Sequence, residues 1–278
     1  MKRVPFSGTG FPDKPGQTIR PFNNNCFPMN LIKHIFEIGI VCFLLFSLHS
    51  CTPYYALGNN GVDPIAFIKP VYSDSAKVTT YIGGKYTHTT DSAYSHKNEV
   101  NHFGQLNWSQ THTLKNYNYS YGAFGYLGTY KVAALENFKG NKTYYGGGLS
   151  GEFCLNIPLN TADLRIIGIK GSLYYENGDF TKFRRIAAEQ NLISGVTASQ
   201  FAYNISFTSG YEFNYKKSSF GLDGSVGETC FINDKPAFLT ASLNAHYTYK
   251  RYIAYVLFTE SAFGIGEEYA VGFAYRLK

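Results

Sequence analysis

The chain has 278 residues, a formal net charge of +6 and 44% hydrophobic residues. A mean hydropathy of −0.19 excludes a helical membrane protein, and so small and scattered a charge excludes a nucleic-acid surface. The unusual feature is aromatic: 24 Tyr and 23 Phe against one Trp, together with 28 Gly.

Residues 1–28 are rich in Pro, Gly and Asn and carry no apolar period. They read as an over-extended start, with translation expected from Met29. Residues 29–50 read as a signal peptide: Lys33 and His34 lead into Ile35–Leu48, which is apolar except for Glu37. That run of 14 residues is short for a membrane span and fits the apolar region of an export leader. It ends Leu48-His49-Ser50-Cys51, which resembles the lipobox of bacterial lipoproteins. The resemblance implies that the Cys51 thiol receives a diacylglycerol, that the leader is cut, and that the new N-terminus is acylated. Each buried CH₂ contributes about 0.8 kcal/mol, so two or three fatty chains such as palmitate anchor firmly.

Residues 51–76 read as an acylated tether. Pro53, Pro64 and Pro70, with Gly58 and Gly61, oppose both helix and central strand. Ile65 to Ile68 is the stretch of it suited to docking. Residues 77–278 have a period close to two and are expected to form a β-barrel. Strands are expected near 77–87, 102–114, 117–132, 143–157, 163–177, 200–216, 218–231, 237–250, 252–260 and 267–277. The sixth shows the pattern best. Phe201, Tyr203, Ile205, Phe207, Ser209, Tyr211, Phe213 and Tyr215 share one face, and Ala202, Asn204, Ser206, Thr208, Gly210, Glu212 and Asn214 the other.

A bulky aromatic face opposite a small polar one is the arrangement of a membrane barrel, with lipid outside and a polar lumen. Several strands also exceed the 9–11 residues or so that a spanning strand needs. The connections alternate in length. Lys115-Asn116, 158–162, Lys216-Lys217 and Lys250-Arg251 are tight, while the others, 88–101, 133–142, 178–199, 232–236 and 261–266, are mostly longer. Outer-membrane barrels have short periplasmic turns and longer outer loops. The longest loop carries an expected helix over 179–193, capped by Asp179. Phe180, Phe183, Ile186, Ala187 and Ile193 lie on its apolar stripe, with Lys182, Arg184 and Arg185 beside it. The fold class expected is therefore all-β: an antiparallel up-and-down transmembrane barrel of about ten strands, with one short helix in a long loop.

The lipobox at Cys51, the Pro-containing tether, the Tyr/Phe/Gly-rich hairpins and the terminal GFAYRLK together resemble the lipoprotein-type outer-membrane β-barrels of Bacteroidota. In that group an acidic stretch after the Cys marks export to the surface. Thr-Pro-Tyr-Tyr follows Cys51 here, which implies a periplasmic anchor and an N-terminus on the periplasmic side of a bacterial outer membrane. Both ends of a ten-stranded barrel also fall on the short-turn side.

Parity assigns Lys85, Glu152, Lys170, Glu176, Glu212, Asp223, His246 and Arg276 to the lumen, where charges must be paired or hydrated. They are expected to form a salt-bridge and hydrogen-bond network. A catalytic alternative would set His246 against Ser242 and a Glu, but no motif fixes that geometry. His88, Asp91, His96 and His102 are grouped without a metal-ligand spacing and are expected to bind no metal. Tyr117, Tyr119, Tyr121, Tyr126 and Tyr130 are expected in an interface girdle. Gly146-Gly147-Gly148 and Gly151 are expected at tight curvature or a bulge. Cys154 and Cys230 fall at opposite strand ends and are expected to stay free.

The expected role is structural, adhesive, or accessory to an envelope complex, with no enzymatic activity and no cofactor. The expected partners are membrane lipid, through anchor and barrel exterior, and envelope proteins, with no nucleic acid. The alternatives are a lipid-anchored soluble barrel binding a small apolar ligand, which needs a solvated exterior, and a membrane-embedded hydrolase.

Overall fold

The computed structural model describes residues 55–59, 65–66, 78–90, 99–114, 116–133, 135–159, 161–193, 195–232, 234, 237–261 and 267–277. The leader, the start Met29, Cys51, Asp91 and His96 lie outside the described residues.

The strands are β1 (Val78–Thr90), β2 (Val100–Thr113), β3 (Tyr117–Val132), β4 (Gly140–Pro158), β5 (Ala162–Gly178), β6 (Phe201–Tyr215), β7 (Ser218–Phe231), β8 (Phe238–Tyr249), β9 (Tyr252–Ser261) and β10 (Glu267–Arg276). Each pairs antiparallel with the next, and β1 closes on β10 from Tyr81↔Arg276 to Thr90↔Glu267. The product is a closed ten-stranded up-and-down barrel. Tight turns gather at one end, where Lys216 and Lys250 take left-handed φ values of 54° and 57°. The longer loops gather at the other. Helix α1 (Asp179–Glu189) follows β5 at the loop end.

The outer surface is apolar. Toward the turn end it carries Tyr117, Tyr119, Tyr121, Phe213, Tyr215, Tyr249 and Tyr252; toward the loop end, Tyr86, Tyr145, Phe201, Tyr203 and Tyr269. Between these two aromatic zones lie Leu106, Leu127, Leu149, Ile169, Ile205, Val226, Leu243, Val256 and Val271, all exposed. Leu106 is 76% exposed and Val271 65%, far too much apolar surface for a face in water. An aliphatic band between two aromatic girdles is the exterior of a bilayer-spanning barrel.

Three expectations about faces need correction. Tyr126 is 5% exposed and Tyr130 half-buried, so neither belongs to the exterior girdle. Their even numbers place them on the inner face of β3, opposite in parity to Tyr117, Tyr119 and Tyr121. Second, the register runs unbroken through Gly146–Gly151. Gly146 serves instead to admit the Tyr126 ring, which a Cβ would meet at 2.4 Å. The bulge lies further on, in β5, where the register shifts against β4 at Leu155/Asn156 and against β6 between Arg165 and Gly168. Third, Gly178 (φ 125°), and not Asp179, is the N-cap of α1, whose helix ends at Glu189. Arg184 is fully buried, where a flanking position beside the apolar stripe was expected.

The lumen divides into two halves. The loop-side half is aromatic: Phe103, Phe124, Tyr126, Tyr144 and Tyr174 point inward, and Phe180 and Phe183 of α1 pack on them. The turn-side half is mainly polar and charged, with a small apolar cluster of Tyr81, Ile253, Tyr255 and Ala274. An entirely small and polar lumen was expected, and aromatic residues on both faces of the strands near the loop end account for the difference.

Cys154 is buried and faces the lumen, with its thiol donating to Glu152 Oε1 at 2.7 Å. Cys230 lies near the loop end of β7, and both are free. We expect a maleimide to modify Cys230 before unfolding and Cys154 only after it. A Cys154–Cys230 link in a non-reducing peptide map would contradict these strand positions.

Candidate functional site

The charged lumen cluster is built around Arg165, which parity reasoning missed. A bulge inserts an extra residue, so consecutive residues Ile166 and Ile167 both point outward. The face assignment therefore flips within β5: Arg165 and Lys170, of opposite parity, both point inward and are 4% exposed. The signal was present as an Ile-Ile pair interrupting the alternation.

Arg165 Nη1 lies 3.2 Å from Asp223 Oδ1. His246 Nδ1 approaches the other oxygen of the same carboxylate at 3.5 Å. Glu152 and Glu212 lie within electrostatic range of Arg165, and Ser219 donates to Glu212 Oε1 at 2.8 Å. Glu152 stands opposite Lys170 in the β4–β5 register. The structure thus brings together Glu152, Lys170, Glu212, Asp223 and His246. It separates three others. Lys85 points inward further along, its ammonium 5.7 Å from the Phe103 ring centre. Arg276 is half-buried at the turn-end rim opposite Tyr81. Glu176 belongs to the loop-side half, where its carboxylate accepts from Arg184 at 3.1 Å and both side chains are fully buried.

What this cluster can do chemically is limited by its surroundings. Ser242 Oγ contacts Ser225 Oγ at 2.6 Å, and His246 Nδ1 lies 3.5 Å from the Asp223 carboxylate. The cavity bordered by Glu152, Arg165, Lys170, Thr208, Asp223 and Asn244 has a volume of about 20 Å³. That holds roughly one water.

Part of the filling comes from residues 55–59 and 65–66. Tyr55, Ala56, Leu57 and Asn59 are buried at the loop mouth, and Tyr55 forms a parallel bridge with Val196. Tyr55 donates to Glu99 Oε1 at 2.5 Å. Gly58 N donates to Glu176 Oε2 at 2.7 Å, and Asn101 Nδ2 donates to the Gly58 carbonyl at 2.7 Å. Deeper, Lys170 Nζ donates to the Ile65 carbonyl at 2.7 Å, and Ala66 borders the small cavity. Of the stretch Ile65 to Ile68, Ile65 and Ala66 are described, and Ile65 is fully buried inside the barrel.

The loop-end histidines are a cross-strand pair on β1 and β2. His88 and His102 stack with ring centres 4.6 Å apart, and His102 Nδ1 is 2.8 Å from the Tyr86 hydroxyl. Among the described residues no cluster of three or more His, Cys, Asp or Glu is placed to hold a metal.

No family model matches the chain, and no curated protein matches it. Among solved structures it is similar to an outer membrane channel from Pseudomonas putida F1, at 10% identity over 72% of this chain and 95% of that one, with a TM-score of 0.42. It is also similar to the β domain of the Bordetella autotransporter BrkA, at 8% identity over 72% and 99%, with a TM-score of 0.39. A third is the outer membrane protein OprG from Pseudomonas aeruginosa, at 10% identity over 72% and 95%, with a TM-score of 0.35. At these scores none of them bears on what this chain does.

Proposed function

We propose that this chain is a lipid-anchored barrel of a bacterial outer membrane with a structural, adhesive or envelope-accessory role, of the kind its sequence resembles in Bacteroidota. The observation that carries the reading is the polarity of the wall: an aliphatic band between aromatic girdles outside, and a charged, filled lumen inside. A soluble ligand carrier needs the reverse, a solvated exterior around an empty apolar interior. Here the apolar inner layer is already occupied by Tyr55, Leu57 and the α1 aromatics. A general pore is disfavoured on the same ground, since open aqueous channels come with about 16–18 strands. Its partners are membrane lipid and envelope proteins.

The anchor is supported by Leu48-His49-Ser50-Cys51. Cys51→Ala is expected to abolish acylation and leave the leader uncleaved. Intact-mass measurement decides it. A native chain whose mature N-terminus lies elsewhere and carries no acyl mass would refute the anchor and leave the barrel reading standing.

A further inference from the structure

We infer that the chain enters its own barrel from the loop side, so that its mature N-terminus and acyl anchor lie at the cell surface and residues 55–59 and 65–66 fill the lumen from within. The inference rests on the membrane reading proposed above. It replaces the periplasmic placement that the residues after Cys51 implied.

The path is fixed at three heights. Tyr55 is bonded to Glu99 and bridged to Val196, both at the loop mouth. Ile65 is held by Lys170, midway along β5. Val78 then begins β1 at the turn end. The described residues ahead of β1 therefore lie at successive depths inside the barrel, Tyr55 at the loop mouth and Ile65 midway.

The seat is built for this segment. Gly58 lies flat against the Tyr144 ring, where a Cβ would meet ring carbons at 2.2–2.7 Å. Its N–H donates to Glu176 and its carbonyl accepts from Asn101. Asn101 Oδ1 in turn accepts from the Tyr144 hydroxyl. A buried carboxylate, a buried amide and a missing side chain converge on one backbone unit. An incidental tether would not require all three.

Reach decides where the anchor sits. Cys51 precedes Tyr55 by four residues. Fully extended they span at most about 14 Å. The apolar band of such a barrel is about 25 Å tall. With Tyr55 at the loop mouth, Cys51 cannot reach the inner leaflet. Long loops face outward in these barrels, so its acyl chains would enter the outer leaflet beside them.

The test uses the full chain in intact cells with short epitope tags at three places. One follows Thr52, one follows Asn191 in the loop after α1, and one lies between Lys216 and Lys217 at a turn. We expect the first two to bind antibody on intact cells, and the third only after permeabilisation. A tag after Thr52 that behaves like the turn tag overturns the inference and leaves the membrane reading intact. Turn and loop tags that behave alike overturn both. A second measurement guards against a tag that disturbs the path: Tyr55→Cys with Val196→Cys, in a Cys230→Ser background. Bridge partners lie within the 4.4–6.8 Å or so that a disulfide tolerates, so mild oxidation is expected to cross-link most of the folded population. A folded, heat-modifiable barrel that shows no cross-link also overturns the inference.

Discussion

Replacing Arg165 with alanine is expected to destabilise the barrel by about 3–5 kcal/mol, the range for removing one partner of a buried ion pair. The size follows from what is left behind. Asp223, Glu152 and Glu212 all lie within electrostatic range of that guanidinium. The adjoining cavity of about 20 Å³ holds roughly one water, so hydration of the stranded carboxylates is confined to that space and the volume the side chain vacates. Unfolding in denaturant, with the protein refolded in liposomes, reads the change. Pairing Arg165→Met with Asp223→Asn is expected to recover part of the loss, because the double variant removes both charges of the 3.2 Å contact. If the double variant is as unstable as the sum of the single ones, the pair is not coupled.

The second large effect concerns the outer wall and depends on depth. Phe207 lies near the middle of β6, outward and half exposed, whereas Tyr215 ends the same face at the turn side. Phe207→Arg is expected to cost about 2–4 kcal/mol and Tyr215→Arg about 0–1, the midplane and interface values for a charge facing lipid. Phe273→Arg on β10 is expected to follow Phe207. A barrel with water on its outside would instead give small and equal effects at all three positions. Arg at Thr208 or Ala274 would fail by a different route. Both point inward, at 7% and 6% exposure, and Thr208 borders the cavity already flanked by Arg165 and Lys170. Crowding and like charge act there in place of lipid.

Most of the wall was legible because a half-buried strand writes its two faces into alternate residues. The expected 200–216 became 201–215, and 218–231 was found unchanged. The outward Phe201–Tyr215 series and the inward Glu212 and His246 followed from parity alone. Parity fails where the backbone adds a residue. One bulge in β5 hid Arg165, the cation at the centre of the cluster, while leaving Lys170 correctly placed. It also says nothing about height. Tyr144-Tyr145 and Tyr174-Tyr175 put one ring in and one ring out, and that doubling was the mark of an aromatic half-lumen.

The tether was the least legible part. Its prolines and glycines rule out regular structure, which is a different matter from ruling out an ordered path. Nothing local in residues 55–66 could reveal that Glu176 and Lys170, more than a hundred positions later, would hold it.

Those separations constrain the order in which the molecule is put together. Gly58 and Glu176 are 118 residues apart, Ile65 and Lys170 are 105 apart, and the β1–β10 seam joins the two ends of the wall. Contacts between residues so distant in sequence form late, because the intervening loop must be closed first. Once the seam is shut, a chain could enter only endwise, past the side chains that line the closed lumen. The segment must therefore be laid across the growing sheet before β1 finds β10. The last two strands to meet then close around a strip of chain that was synthesised first.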